Sequence, residues 1–238
     1  MTLPRSVEPE WLDELPAEDR RAIRSRRDLK RINAWMLQTA IMARLFTRYQ
    51  TALPRRIVEL GAGDGTFMLG VARRLASRWR GVRLVFLDQQ DIVSDATREN
   101  FRSFGWQTES VTADVFDFLD AQKPGSADLI AANLFLHHFS KDQLARLFAS
   151  AAPLAPLFVA CETRRSPWAL AASHMVFAIG CNDVSRHDAV LSVRAGFSGR
   201  ELSQLWPANG GWSLHEHAAM PFTHCFVARR MDAESADV

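Results

Sequence analysis

The sequence predicts an α/β fold: a doubly wound, mostly parallel sheet that ends in an antiparallel hairpin and carries a helical cap at its N-terminus. Three observations predict it. From Arg56 onward, short β-branched and aromatic runs alternate with helical stretches, and such alternation gives parallel strands joined by right-handed crossovers. The first of these runs passes directly into a glycine turn, Gly61-Ala62-Gly63-Asp64-Gly65. Polar residues then close the following runs, at the strand ends where ligands bind in such sheets.

Taken in order, Pro9 and Pro16 bracket a short helix, and residues 28–49 read as one longer helix. Ile32, Trp35, Met36, Thr39, Met42, Leu45, Phe46 and Tyr49 recur there at three- and four-residue spacing. Apolar around much of its circumference, that helix needs cover on two sides. Pro54 closes this cap, expected over residues 1–54. The main domain, 55–238, is expected to hold strands at 57–60, 83–88, 107–114, 128–134 and 157–162, with helices at 66–79, 92–104 and 141–151. Two extended runs, 212–219 and 222–229, flank Met220-Pro221 and read as the hairpin on the sheet edge. Between the fifth strand and the hairpin lies an excursion, 163–211, with helices expected at 167–179 and 198–205. An insertion at the carboxyl edge of a sheet is the usual place for a lid.

With 238 residues, 47% of them hydrophobic and 24% charged, the chain can bury a full core and is neither disordered nor collagen-like. Cys161, Cys181 and Cys225 are too sparse for a disulfide framework or a Cys-x-x-Cys metal knuckle, which points to a reducing compartment. Glu8, Glu10, Asp13 and Glu14 stand where an export signal needs an apolar core. The longest apolar run, 168–181, is interrupted by Ser173 and His174 and is too short to span a bilayer. A cytoplasmic protein is expected. The balance of 29 basic against 27 acidic side chains lacks the broad positive footprint of nucleic-acid binders. One run is locally basic: Arg20, Arg21, Arg24, Arg26, Arg27, Lys30 and Arg31 against Asp28 alone. It reads as the solvated face of a helix, with docking of RNA or a protein partner as the alternative.

The chemistry concentrates at Val58-Glu59-Leu60-Gly61-Ala62-Gly63-Asp64-Gly65-Thr66. Glycines at alternate positions allow a sharp turn and a close approach of ligand to backbone. The spacing is Gly-x-Gly-x-Gly, since position 66 is Thr, and Glu59 and Asp64 put negative charge where a pyrophosphate would need a bare helix N-terminus. A cofactor with a cationic end fits better. Asp88, beside Gln89 at the end of the second strand, can accept both hydroxyls of a ribose. Asp114 and Val115, after the third strand, suit an exocyclic amine and one ring face of adenine, and Asn133 ends the fourth.

Together these residues resemble the class I S-adenosylmethionine-dependent methyltransferases, and the resemblance runs from Arg56 to Arg229. It implies a seven-stranded sheet, S-adenosylmethionine as cofactor and S-adenosylhomocysteine as product. Residue by residue it implies Glu59, Gly61, Ala62, Gly63 and Gly65 around the methionine end, Asp88 and Gln89 at the ribose, Asp114 and Val115 at adenine, and Asn133 beside the sulfonium. The lead Asp28-Leu29-Lys30-Arg31-Ile32-Asn33 and the stretch 182–194 are similar to bacterial O-methyltransferases of phenolic and polyketide biosynthesis, which implies a small-molecule acceptor. The Asn/Asp-Pro-Pro-aromatic pattern of exocyclic base methylation is absent, since Leu134 and Phe135 follow Asn133. A nucleic-acid substrate is therefore not expected.

Methyl transfer to a hydroxyl needs an aligned nucleophile, exclusion of water and a base. His137 and His138 follow the fourth strand, near the methyl group, and Glu162 at the end of the fifth can orient His137; this pair is the preferred base dyad. The rival base is His187, beside Arg186 and Asp188 in the lid stretch, a cluster that also reads as an internal salt-bridge knot. Trp35, His138 and Arg186 are the candidate substrate contacts, and His174 reads as a satisfied core histidine. His215, His217, His224 and Cys225 invite a zinc reading, but His224 and Cys225 point to opposite faces of a strand, and no metal is expected. A monomer or homodimer completes the expectations.

Overall fold

Arg56–Leu60 (β1) is buried from Ile57 onward on both faces, the pattern of a central parallel strand covered by helices on either side. The computed structural model describes residues 3–208 and 211–231, without the side chains of Phe177 and Ile179. The parts of the expected segments at 1–2, 209–210 and 232–238 lie outside the described residues. Arg83–Asp88 (β2) and Leu129–Asn133 (β4) flank β1 in parallel, Gln107–Thr112 (β3) lies outside β2, and Leu157–Thr163 (β5) outside β4. An antiparallel hairpin, Trp212–Ala219 (β6) and Thr223–Arg230 (β7), completes the sheet in the order β3-β2-β1-β4-β5-β7-β6. The winding direction reverses between β1 and β4, so their carboxyl ends open the crevice in which such sheets bind ligands.

Helices cover both faces. Gln38–Tyr49 (α3), Thr66–Leu75 (α4) and Asp95–Ser103 (α5) pack on one, around Met42, Phe46, Met68, Phe86 and Trp106. Val115–Ala121 (α6) and Lys141–Ala151 (α7) pack on the other, around Phe118, Phe148, Phe158 and Phe226. Rings packed this way hold the sheet rigid, since truncating one to alanine costs about 3–5 kcal/mol. Cys161 and Cys225 face each other as thiols across the β5–β7 register. Among the described residues, no helix is long and apolar enough to cross a membrane.

The cap departs from the single long helix expected over 28–49. Pro9 and Pro16 do bracket Trp11–Glu14 (α1), but Arg20–Trp35 (α2) ends before α3 begins. The break falls at Leu37, whose φ of 56° is left-handed, and the N–H groups of Met36 and Leu37 turn back onto Ile32 and Ala34. A straight helix covers one surface. The bend lets α3 bury Met42 and Phe46 in the sheet core while α2 runs across the strand tips.

Other boundaries differ for local reasons. β3 stops at Thr112 because Asp114 caps α6, accepting from the Phe116 and Asp117 N–H groups, and α6 itself went unpredicted. Helices α4 and α5 are shorter than expected, α5 starting only after its Ser94 cap. In the 163–211 excursion, Ser166 caps Pro167–His174 (α8), and a 3-10 turn, Val176–Ile179, takes the place of its expected continuation. Asn182 caps Asp183–Ala195 (α9), an unpredicted helix that packs on α1, α2 and α8. Residues 198–205, expected as helix, are turns: Glu216 takes the Leu202 and Ser203 N–H groups, and Glu201 takes that of Ser198.

Candidate active site

The tip of β1 turns through Gly61, whose φ of 68° is left-handed, and a Cβ there would stand 2.2 Å from the Phe135 ring. Only glycine lets loop and ring coexist. Asp88, at the tip of β2, locks the turn: its carboxylate accepts from the Gly63 N–H at 2.8 Å and the Gln90 N–H at 3.0 Å. These tips wall a cavity of about 420 Å³, roofed by α2, whose Lys30 Nζ lies 2.6 Å from Asp64 Oδ2. Burial pushes the Asp64 carboxyl up, but Lys30 and Thr66 outweigh it and hold the group below its ordinary value.

Three oxygens on this cavity's lining residues are buried without a partner: Glu59 Oε2, Asn133 Oδ1 and Asn33 Oδ1. Buried polar atoms are normally satisfied, so three bare acceptors around one cavity call for a ligand rich in N–H donors or positive charge. Glu59 makes the same point energetically. Burial, followed by the Asp88 and Asp64 charges, pushes its carboxyl well above the ordinary range, and a cation beside it would restore the ionised form.

Beyond Asn133 the chain passes through Leu134, at a φ of 50°, into a 3-10 turn, Leu136–His138. Glu162 of β5, fully buried, builds that turn by accepting from the Phe135 and Leu136 N–H groups at 3.0 and 2.8 Å and pairing with His137 Nδ1 at 2.8 Å. The other ring nitrogen, Nε2, lies 3.3 Å from Glu10 Oε1, and Ser192 of α9 donates to the same oxygen. His138 Nδ1 is 3.2 Å from Asp13 Oδ2. Burial alone would push the His137 ring down, but the hydrogen bonds and charges of Glu10 and Glu162 raise it to about 10. A carboxylate at each ring nitrogen favours the imidazolium form of His137, which donates on both sides. The role of proton acceptor expected for it does not fit that state, because a ring held between two carboxylates keeps its proton. Burial pushes Glu10 up in turn, but His137, His138 and Ser192 bring it below its ordinary value.

A second cavity, of about 90 Å³, adjoins the first. Its walls include Ile32, Trp35, Met36, Val176 and Phe222, and Trp35 and Phe222 meet at 5.5 Å between ring centroids. Glu10, Leu12, Leu29, Leu134 and Ser192 line both cavities and form the rim between them.

Residues 58–155 match a family described as a methyltransferase domain. Over those residues the chain is similar to methyltransferase domains, in line with its resemblance to the class I S-adenosylmethionine-dependent enzymes. No curated protein sequence matches the chain. Solved structures share the methyltransferase fold at low identity. An O-methyltransferase family protein from Burkholderia thailandensis is 17% identical, with a TM-score of 0.61, over 91% of this chain and 62% of its own. The pyocyanin biosynthetic protein PhzM is 19% identical at a TM-score of 0.55, over 92% and 60% of the two chains. The plantazolicin methyltransferase BpumL, solved in complex with SAH, is 12% identical at 0.64, over 90% and 91%. The chain therefore spans less than two thirds of the Burkholderia protein and of PhzM.

The cofactor of the methyltransferase domain is S-adenosylmethionine, and the larger cavity suits it. The bare oxygens of Glu59, Asn133 and Asn33 offer acceptors on its walls to a cationic, N–H-bearing cofactor, and the Gly61 turn leaves its backbone open to approach. Of the residues expected to hold it, Glu59, Gly61, Ala62, Gly63, Asp88, Gln89, Asp114, Val115 and Asn133 line that cavity. Gly65 does not; it starts α4 at a φ of 72°, where a Cβ would press on Phe86 at 3.1 Å. His137 and His138 line the same cavity, whereas Glu162 stands behind His137.

Trp35 lines the smaller cavity and is otherwise 60% exposed. Arg186 and His187 line neither cavity. The turn of α9 sends Ser185, Asp188 and Ser192 inward, while His187 stacks on Trp11 at 3.8 Å and pairs with Asp188 at 2.9 Å. The expected rival base is thus part of the packing of α1 against α9. The hairpin histidines do not converge: His224 pairs with Glu216 at 2.7 Å and His215 with Ser213 at 3.0 Å. Sequence reasoning missed Glu10, Asp13, Asn33 and Ser192. A usable signal was present in Glu10 and Asp13, three residues apart and confined between two prolines.

Proposed function

We propose that the protein transfers the methyl group of S-adenosylmethionine to a hydroxyl of a small aromatic or polyketide-like acceptor. One observation carries the reading: the larger cavity shares the rim residues Glu10, Leu12, Leu29, Leu134 and Ser192 with a small, mostly apolar cavity that Trp35 and Phe222 help to wall. Bound, the cofactor supplies an activated methyl on a sulfonium. The chain has to bring an acceptor into line with it and keep water away. Asp88, Asp114 and Asn133 would hold the cofactor, with Trp35 and Phe222 stacking on the acceptor ring. Glu162 fixes the direction of His137, and His138 with Asp13 closes the remaining wall. O-methyltransferases among the similar folds support the choice of oxygen.

The alternative, docking of RNA or protein through Arg20–Arg31, loses support. Lys30 is engaged with Asp64, Arg31 with Asp28, Arg21 with Asp19, and Arg26 with the Ala17 carbonyl. S-adenosylmethionine labelled in its methyl group, incubated with the protein and a lysate of its source, separates the two. Label in the solvent-extractable small-molecule fraction is expected. Label confined to RNA or protein would refute the reading.

A further inference from the structure

We propose that Glu10 is a catalytic residue, the group that accepts the proton of the hydroxyl being methylated, and that the N-terminal segment thereby completes the active site. The inference rests on the function proposed above and adds a residue to it. A reacting oxygen has to lie where the cofactor and acceptor cavities meet, and among the described residues Glu10 is the one ionisable side chain that lines both.

The other candidates are placed elsewhere. Glu162 lines neither cavity, and its oxygens serve Phe135, Leu136 and His137. Asp188 lines the acceptor cavity alone, and its oxygens take the Trp11 and Leu12 N–H groups, each at 3.0 Å. His137 lines the cofactor cavity alone, with a carboxylate on each ring nitrogen.

The position of Glu10 is also built. Asp188 anchors α1 through those two N–H groups, and Trp11 stacks on His187. Upstream, Arg5 donates to the Ala195 carbonyl at 2.7 Å and to the Phe139 carbonyl, just past the histidine turn, at 2.9 Å. The segment is thus tied both to α9 and to the strand tips, and it delivers a carboxylate between them.

The chemistry balances. As the acceptor oxygen bonds to the methyl carbon, the S–CH3 bond breaks and its electron pair stays on sulfur, leaving a neutral thioether. The oxygen gains positive character, so its O–H proton becomes strongly acidic. The O–H electron pair stays on oxygen and the proton passes to Glu10. A proton released so late needs only an ionised carboxylate, not a strong base. An ionised carboxylate, an alcohol and a sulfonium become a carboxylic acid, a methyl ether and a thioether, and the proton leaves to water with the products. His137 acts through Glu10 as a positioning residue, donating from Nε2 to hold the carboxylate ionised and aimed.

The test compares two probes, para-cresol, neutral near neutral pH, and para-nitrophenol at mildly alkaline pH, where it is already largely ionised. Glu10→Gln, which keeps an acceptor for Ser192, is expected to lower kcat for para-cresol by about 100-fold. For para-nitrophenolate, which brings no proton, the loss should stay under about fivefold, and S-adenosylhomocysteine affinity should stay within about twofold. Glu10→Asp, shorter by one methylene, should recover part of the para-cresol rate. Equal losses for both acceptors would make Glu10 a structural clasp and overturn the proposal, as would a Glu10→Gln enzyme of full rate. Glu10, His137 and His138 also place ligand atoms within 4.8 Å of one another. Activity lost to a chelator and restored by zinc would therefore assign Glu10 to a metal and overturn the proposal too. A wild-type protein that binds S-adenosylhomocysteine but methylates neither phenol would sink the acceptor class itself, and this assignment with it.

Discussion

The two halves of the site are built by different means. Glu59, Gly61, Asp88, Asp114 and Asn133 of the proposed cofactor half all lie within two residues of a strand's carboxyl end, so parallel sheet register sets their separations. The proposed acceptor half has no such ruler. Glu10 comes from just before α1, Trp35 from α2, Ser192 from α9 and Phe222 from the hairpin turn, and only helix packing and side-chain hydrogen bonds bring them together. A site made from register can hold a fixed cofactor, whereas a site made from packing can be reshaped for an acceptor by changing helices that the sheet does not need.

The comparison breaks most severely at the seam. Glu162→Ala strips three donors, the Phe135 and Leu136 N–H groups and the His137 ring, of their buried acceptor. Denaturant melts should show about 3–5 kcal/mol of lost stability, a penalty of the kind met when one partner of a buried pair is removed. Next, Asp88→Ala should damage the cofactor half alone. It releases the Gly63 and Gln90 N–H groups as well as the proposed ribose contact, and calorimetric titration should find S-adenosylhomocysteine bound about 100-fold more weakly.

Trp35→Ala should do the reverse, raising the acceptor KM by about tenfold while cofactor affinity holds. A subtler effect follows from the clamp around His137. Its folded value of about 10 lies above the ordinary 6.5, so the stability it adds is fully present below pH 6.5 and is lost as the pH rises through about 10. The difference in Tm between wild type and His137→Gln should therefore narrow on going from neutral to strongly alkaline pH. Least of all, alanine at the exposed Arg20, Arg24 and Arg27 should leave small-molecule methylation within about twofold, with no new salt dependence.

The same contrast explains what could be read from the amino-acid sequence. β2 over Arg83–Asp88 and α7 over Lys141–Ala151 were legible to the residue, because alternation, strand-end acids and a Ser140 cap are local signals. The cofactor motif was legible for the same reason. The break at Leu37 was not, since the apolar periodicity runs through it and the bend answers to two surfaces at once. Nor was α9, which turns Ser185 and Asp188 inward where an amphipathic pattern would show apolar residues. Glu10 reads as a solvated acid in a leading segment. It is buried only because His137 and Ser192, remote in sequence, come to meet it.

The central claim is that the two cavities form one site for methylating a hydroxyl. It is met most directly by carbon-13 NMR of the product made from S-adenosylmethionine labelled in the methyl carbon. The account predicts a methyl resonance of an aryl methyl ether on a small extractable molecule. A labelled methyl on nitrogen or on ring carbon would contradict it.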